Sequence, residues 1–244
     1  SNSLVDLVSE SSKMVIAPMP NLYFTRDPFA MIGNGVSINR MYAVTRNRET
    51  IFAEYIFTHH RFKDVPQYYS RYSAFHIEGG DILNINEHTL AIGISQRTEP
   101  DAIDEIAHNI FKDETSPVDT ILAFNIPNNR AMMHLDTVFT QIDVDKFTII
   151  PVSWAADRVR DHPRGRGHQG QGDLWYARGS LAKYVACLSP LSCAGGDRIA
   201  AEREQWNDGS NTLCIAPGRV IVYERNDVTN ALLRKNNIDA IEIP

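Results

Sequence analysis

The chain has 244 residues, 43% of them hydrophobic and 22% charged, with a formal net charge of −6. This composition excludes collagen-like, mucin-like and wholly disordered chains. The negative balance argues against a nucleic-acid-binding surface, which needs clustered Lys and Arg to displace counterions. The longest apolar runs, Thr89–Ile94 and residues 148–152, are strand-sized, far short of the ~20 residues of a membrane helix. The opening SNSLVDLVSESS lacks the basic-then-apolar order of a signal peptide. Three cysteines, Cys187, Cys193 and Cys214, are too few for a disulfide framework. The expectation is a soluble, cytoplasmic α/β protein without a nucleic-acid or membrane partner.

In chain order, the first clear pattern follows Gly79-Gly80. Residues 81–85 alternate like a strand, Asn86-Glu87-His88 makes a turn, and residues 89–95 form a second strand. Pro100 then opens an amphipathic helix with Ile103, Ile106, Ala107 and Ile110 on one face. Residues 119–126 return as a buried strand, completing a β-β-α-β unit. Residues 133–141 and 146–152 read as the opening strands of another unit. Strands over 211–216 and 219–224, a helix over 228–236 and a strand over 239–243 repeat the order. Such units cannot bury their own apolar faces, which predicts a ring or array of repeats. Residues 153–191 break the pattern: Arg158, Arg160, Arg164, Arg166 and Arg178 sit among glycines, with no helical stripe. Taken at face value this is an irregular basic loop, but a structureless loop of ~40 residues in a compact domain counts against that reading.

Five polar groups stand in or beside the apolar strands: NLYFTRDPF at 21–29, EGGD at 78–81, Arg97, MHLDT at 133–137 and AAEREQWNDG at 200–209. Strand alternation puts His134 and Asp136 on one face, an acid/base and charge pair. Each signal has a plain structural reading as well. HxD fits a structural histidine, Asp27 a turn or ion-pair residue, and Glu78 a strand end before two glycines. The carboxylates could also bind a divalent cation. Their excess fits a planar cation better, because a guanidinium fork matches carboxylates bidentately.

Together these motifs resemble the arginine deiminase family of the guanidine-modifying superfamily, over residues 15–151 and 193–244. The resemblance implies a single catalytic domain over 1–244, folded as a fivefold pseudosymmetric α/β propeller of ββαβ units. AAEREQW is hard to place in the neighbouring agmatine deiminases or amidinotransferases. Carried over position by position, Asp27 and Asp136 grip the substrate guanidinium, and Glu78 and His134 are the acid/base pair. Asn21, Phe24, Arg46, Asp81 and Arg97 hold the amino-acid end and line the pocket, with Arg46 and Arg97 facing the α-carboxylate. Structural alternatives stay open for Arg46, as a solvated helix start, and Asp81, as a turn. The implied reaction converts L-arginine and water to L-citrulline and ammonia through a cysteine adduct, with no metal or organic cofactor. A homo-oligomer is left open.

Two departures accompany the resemblance. The family's opening strands and helical bundle are expected before Val15, and its nucleophilic cysteine after Pro244, so the chain reads as an incomplete ring. Cys193 is expected at a strand end and Cys214 as an inert core thiol. A catalytically inactive fragment or pseudoenzyme is therefore the rival reading. The second departure is the 153–191 stretch, which a one-nucleotide frame slip would explain. Back-translated with permitted codons and read from the second base, His168–Ala177 becomes IKVKETFGM, a plausible strand-and-helix entry.

Overall fold

The computed structural model describes residues 18–127, 132–150, 155–161, 174–180 and 189–244. Its strands form four small sheets. In the first, β1 (Phe29–Ile32) turns back through Gly33, at φ +52°, into antiparallel β2 (Gly35–Ile38). Helix α1 (Thr50–His59) then carries the chain to β3 (Gln67–Tyr69), parallel to β2. A parallel neighbour requires such a crossover. The second unit repeats this order with β4 (Ile82–Asn84), β5 (Thr89–Ile94), α2 (Pro100–Lys112) and β6 (Thr120–Asn125). β4 and β5 are antiparallel, and β5 and β6 parallel, with Thr89 opposite Thr120.

The third unit pairs β7 (Phe139–Gln141) antiparallel with β8 (Lys146–Ile149). Before its parallel partner β11 (Ser189–Ser192), the chain makes β9 (Ala155–Asp161) and β10 (Leu174–Ser180). This antiparallel pair adds to the free edge of β6 and widens the second sheet to five strands. Helix α3 (Arg198–Trp206) leads into a fourth unit. That unit comprises β12 (Leu213–Ala216), β13 (Arg219–Tyr223), α4 (Asp227–Lys235) and β14 (Asp239–Ile243), with β12 antiparallel and β14 parallel to β13.

Burial follows the repeat. Pro100 occupies the first turn of α2, where its missing N–H costs nothing, and Ile103, Ile106, Ala107 and Ile110 are fully buried or nearly so. They share a core with Ile32 and Tyr69 of the first unit. Leu122 and Phe124 of β6 pack with Phe139 and Phe147 of the third unit, and Ile142 joins Val220 and Leu233 of the fourth. Among the described residues, no helix is long and apolar enough to cross a membrane.

Several expectations change. The strand expected over 133–141 starts only at Phe139, because Leu135–Thr137 forms a 3-10 turn. Likewise Gly79–Asp81 is a 3-10 turn, and its strand begins at Ile82. Within the stretch expected to lack regular structure, residues 155–161 and 174–180 are strands held by the ladder to β6. Residues 151–154, 162–173 and 181–188 of that stretch, Cys187 included, lie outside the described residues. Cys214 is exposed rather than a core thiol, because β12 is the outer strand of its sheet and all four of its residues are exposed.

Candidate active site

The repeat explains why residues far apart in sequence meet. Asp27 immediately precedes the first unit's opening strand, the turn Gly79–Asp81 the second's, and the turn Leu135–Thr137 the third's. Glu78 and His134 hold equivalent positions, each in extended backbone just before its 3-10 turn. Arg46 and Arg97 are equivalent too, each lying between the second strand and the helix of its unit. The tight turns, not strand alternation, therefore set His134 and Asp136.

Two glycines allow the elements to close on one another. A Cβ on Gly79 would lie 1.9 Å from the carbonyl oxygen of Arg26, and one on Gly80 would lie 2.7 Å from the His134 ring. The Gly79 N–H donates to Asp27 O (3.1 Å), as does Asn39 Nδ2 (2.7 Å).

Glu78 is the hub. Its fully buried carboxylate accepts from His134 Nε2 (2.8 Å), Arg97 Nη1 (3.1 Å) and the backbone N–H of Tyr42 (3.1 Å), with Arg46 Nη1 at 3.9 Å. Burial raises its pKa, but His134 and the two guanidiniums outweigh that and hold it below the ordinary carboxylate range. Burial pulls the His134 imidazole down, yet Glu78, with Asp81, Asp136 and Asp27 nearby, pushes it up to about 9. The pair is therefore an imidazolium and a carboxylate at neutral pH.

Asp27 Oδ2 accepts from Arg46 Nη1 at 3.0 Å. Arg46 is buried and also forks onto both oxygens of Glu49, so the reading of a solvated helix start is corrected. Asp136 Oδ2 accepts from Arg26 Nη1 at 2.9 Å, while its other oxygen is buried without a hydrogen-bond partner among the described residues. Burial pushes its pKa up, and Asp27 adds to this against His134 and Arg26.

Asp81 differs. Its fully buried carboxylate is saturated by Ser95 Oγ (2.7 Å), Thr98 Oγ1 (2.7 Å) and the Leu135 N–H (2.8 Å). Burial pushes its pKa up to about 6 against those donors. Asn21 and the exposed Phe24 sit in the turn leading to Arg26, without a side-chain hydrogen bond to this network among the described residues. Sequence reasoning passed over Arg26 and Glu49. The signal for Arg26 was its place beside Asp27 in FTRDPF, and for Glu49 its spacing three residues after Arg46. Among the described residues, no group of His, Cys, Asp and Glu is arranged to hold a metal ion.

Solved structures with this fold include DDAH from Pseudomonas aeruginosa, a cysteine-to-serine mutant complexed with citrulline. It is 16% identical with a TM-score of 0.62, over 92% of this chain and 69% of that one. Unliganded AgrE is 19% identical with a TM-score of 0.65, over 92% of this chain and 28% of that one. At that identity the likeness concerns the fold. Sequence relatives are much nearer. The arginine deiminase of Treponema denticola is 58% identical over 251 residues, covering 100% of this chain and 61% of its own length. That of Clostridium perfringens is 48% identical over 250 residues, covering 99% and 60%. The chain thus spans about three-fifths of the curated relatives it matches. The arginine deiminase family model matches residues 1–244 in full, and on that match and these identities the chain belongs to the arginine deiminase family.

Proposed function

We propose that this chain forms most of the substrate pocket of an enzyme that hydrolyses L-arginine to L-citrulline and ammonia. The observation that carries the reading is the joining of two unit-opening carboxylates, Asp27 and Asp136, to the buried His134–Glu78 pair through arginine contacts and shared electrostatics. In this reading Asp27 and Asp136 fix the plane of the substrate guanidinium. Its central carbon is a poor electrophile because the charge is delocalised, so orientation matters. A cysteine thiolate attacks that carbon, the C–N bond to one amino group breaks, and protonated His134 supplies the proton with which ammonia leaves. Water then adds to the thiouronium carbon, giving a proton back to His134, and the C–S bond breaks to release citrulline. Glu78 keeps the imidazole charged and oriented. Asn21, Phe24, Arg46, Asp81 and Arg97 are assigned to the amino-acid end and the pocket walls, with Arg46 and Arg97 toward the α-carboxylate.

Neither described thiol supplies the thiolate. Cys193 is buried against Thr229 Oγ1 (3.3 Å), and Cys214 donates to Ala216 O (3.2 Å); burial raises both pKa values. We assign the nucleophile to the part of the relatives' length outside these 244 residues. The fourfold recurrence of the strand pairing supports a fivefold propeller once that length is included. The free thiols support a cytoplasmic setting. The frame slip across 153–191 is retained as a proposal that the coding sequence would test.

The 244-residue chain is expected to release no citrulline from L-arginine above a buffer control, since loss of a covalent nucleophile costs orders of magnitude. A family-length protein containing it is expected to turn over, and His134→Ala or Asp136→Asn in that protein to abolish turnover. Citrulline formation by the 244-residue chain, lost on Cys187→Ser, Cys193→Ser or Cys214→Ser, would overturn the assignment of the nucleophile.

A further inference from the structure

Three acidic members of the network already carry a guanidinium from the protein itself: Arg46 on Asp27, Arg97 on Glu78 and Arg26 on Asp136. The three are not equivalent. Arg46 is buried and forked onto Glu49. The side chain of Arg97 is only 20% exposed, with Nη2 at 3.1 Å from Met133 Sδ. Arg26 is 47% exposed, and Asp136 is its one polar side-chain contact among the described residues. It also lines an open cleft of about 490 Å³, shared with Thr140 and Cys214.

The Arg26 backbone cannot follow its side chain. Its carbonyl is wedged against Gly79, and the next residue is pinned by Gly79 N–H and Asn39 Nδ2. Only the half-exposed guanidinium is free to swing away from Asp136. Asp136, for its part, keeps one buried oxygen unpartnered. An orphaned buried acceptor carries a desolvation cost that a second donor relieves. A monodentate Arg26 leaves it unrelieved, whereas a bidentate guanidinium would satisfy both oxygens.

We propose that Arg26 is a displaceable internal counter-ion: it neutralises Asp136 in the empty pocket and is expelled by the guanidinium group of the incoming ligand. It is a positioning and selectivity residue, acting through Asp136. A ligand must bring a two-pronged cation to replace it, so simple ammonium compounds are disfavoured. This rests on the reading of Asp136 as a guanidinium anchor.

The test uses the 244-residue chain labelled with ¹⁵N-arginine and ¹³C-histidine. L-Arginine, and separately L-lysine, are titrated while the Arg26 Nε–Hε and His134 ring NMR signals are followed. Expected is a shift of the Arg26 signal to that of a solvent-exposed arginine, at the same midpoint as the His134 shift, with L-arginine only. Arg26→Gln is expected to bind L-arginine about three- to fivefold more tightly, the scale of one partly exposed ion pair, while Arg26→Lys stays near wild type. A merely structural Arg26 would weaken binding on substitution. A His134 shift with a static Arg26 signal, or weaker binding by Arg26→Gln, would overturn the displacement and leave the pocket assignment standing. No shift in either signal would overturn both.

Discussion

Burial alone would strip the proton from His134, because a desolvated imidazolium loses its hydration. The Glu78 carboxylate at 2.8 Å reverses that and pushes the pKa up to about 9. A group whose folded pKa lies above its unfolded value of 6.5 stabilises the fold fully below that value, and the contribution fades as pH rises through about 9. Glu78, held low, contributes above its ordinary 4.5 and is lost as pH falls. The unfolding free energy, and the melting temperature with it, is therefore expected to decline between about pH 6.5 and 9, with His134 accounting for on the order of 3 kcal/mol. Glu78→Gln is expected to remove most of that decline and to cost about 3–5 kcal/mol at pH 7. Thermal scans across pH, with a His134 NMR titration, check both; an unchanged His134 pKa in Glu78→Gln would refute the coupling. These residues were legible in the sequence because each is a charged or titratable group beside an apolar strand. Their partners were not. Nothing in the text of EGGD says that Asp81 spends both oxygens on Ser95, Thr98 and Leu135, since that depends on three other segments arriving at one point.

The elements that could be read early are those whose pattern is unambiguous. Helix α2 starts at the proline and buries the stripe that its spacing indicated, and β14 occupies the expected residues 239–243. Helix α1 gave no such signal, because Ile51, Phe52 and Tyr55 are exposed while Ala53 and Phe57 are buried, leaving no clean stripe. The turn before β7 was absorbed into a strand because residues 133–136 alternate in polarity, as strands do, and Asp81 at the end of the turn before β4 was absorbed likewise. Helix α4 shows a different kind of hidden dependence. Its cap residue Asn226 makes no side-chain capping bond. Instead Glu204, fully buried in α3, accepts the N–H groups of Val228 and Thr229 (both 3.0 Å) and the Thr229 hydroxyl. A carboxylate at the positive end of a helix is favourable, and the two buried Thr229 donors have no water to turn to. The glutamate inside AAEREQW is thus the cap of the next helix. Glu204→Ala is expected to lower stability by about 2–4 kcal/mol in urea titrations, with Glu204→Gln between it and wild type; a change below about 0.5 kcal/mol would contradict this role.

Across the whole molecule, the pocket groups are anchored in three successive repeats, and the repeats touch through shared apolar seams. Arg46 spans Asp27 and Glu78, His134 reaches Glu78, and Arg26 reaches Asp136, so the polar contacts run from unit to unit. The repeat order was legible because the ββαβ pattern recurs; the convergence of its charged loops was not, because it is a property of the arrangement. The bond from the Leu135 N–H to Asp81 Oδ1 lies at one such crossing, 54 residues apart in sequence and sealed from solvent. For that amide to trade its proton for deuterium, the second and third repeats must part company, and with them the pocket. Its exchange rate is therefore a clock for the whole assembly, expected to tick with the slowest amides of β5 and β6 rather than with the short turn that contains it.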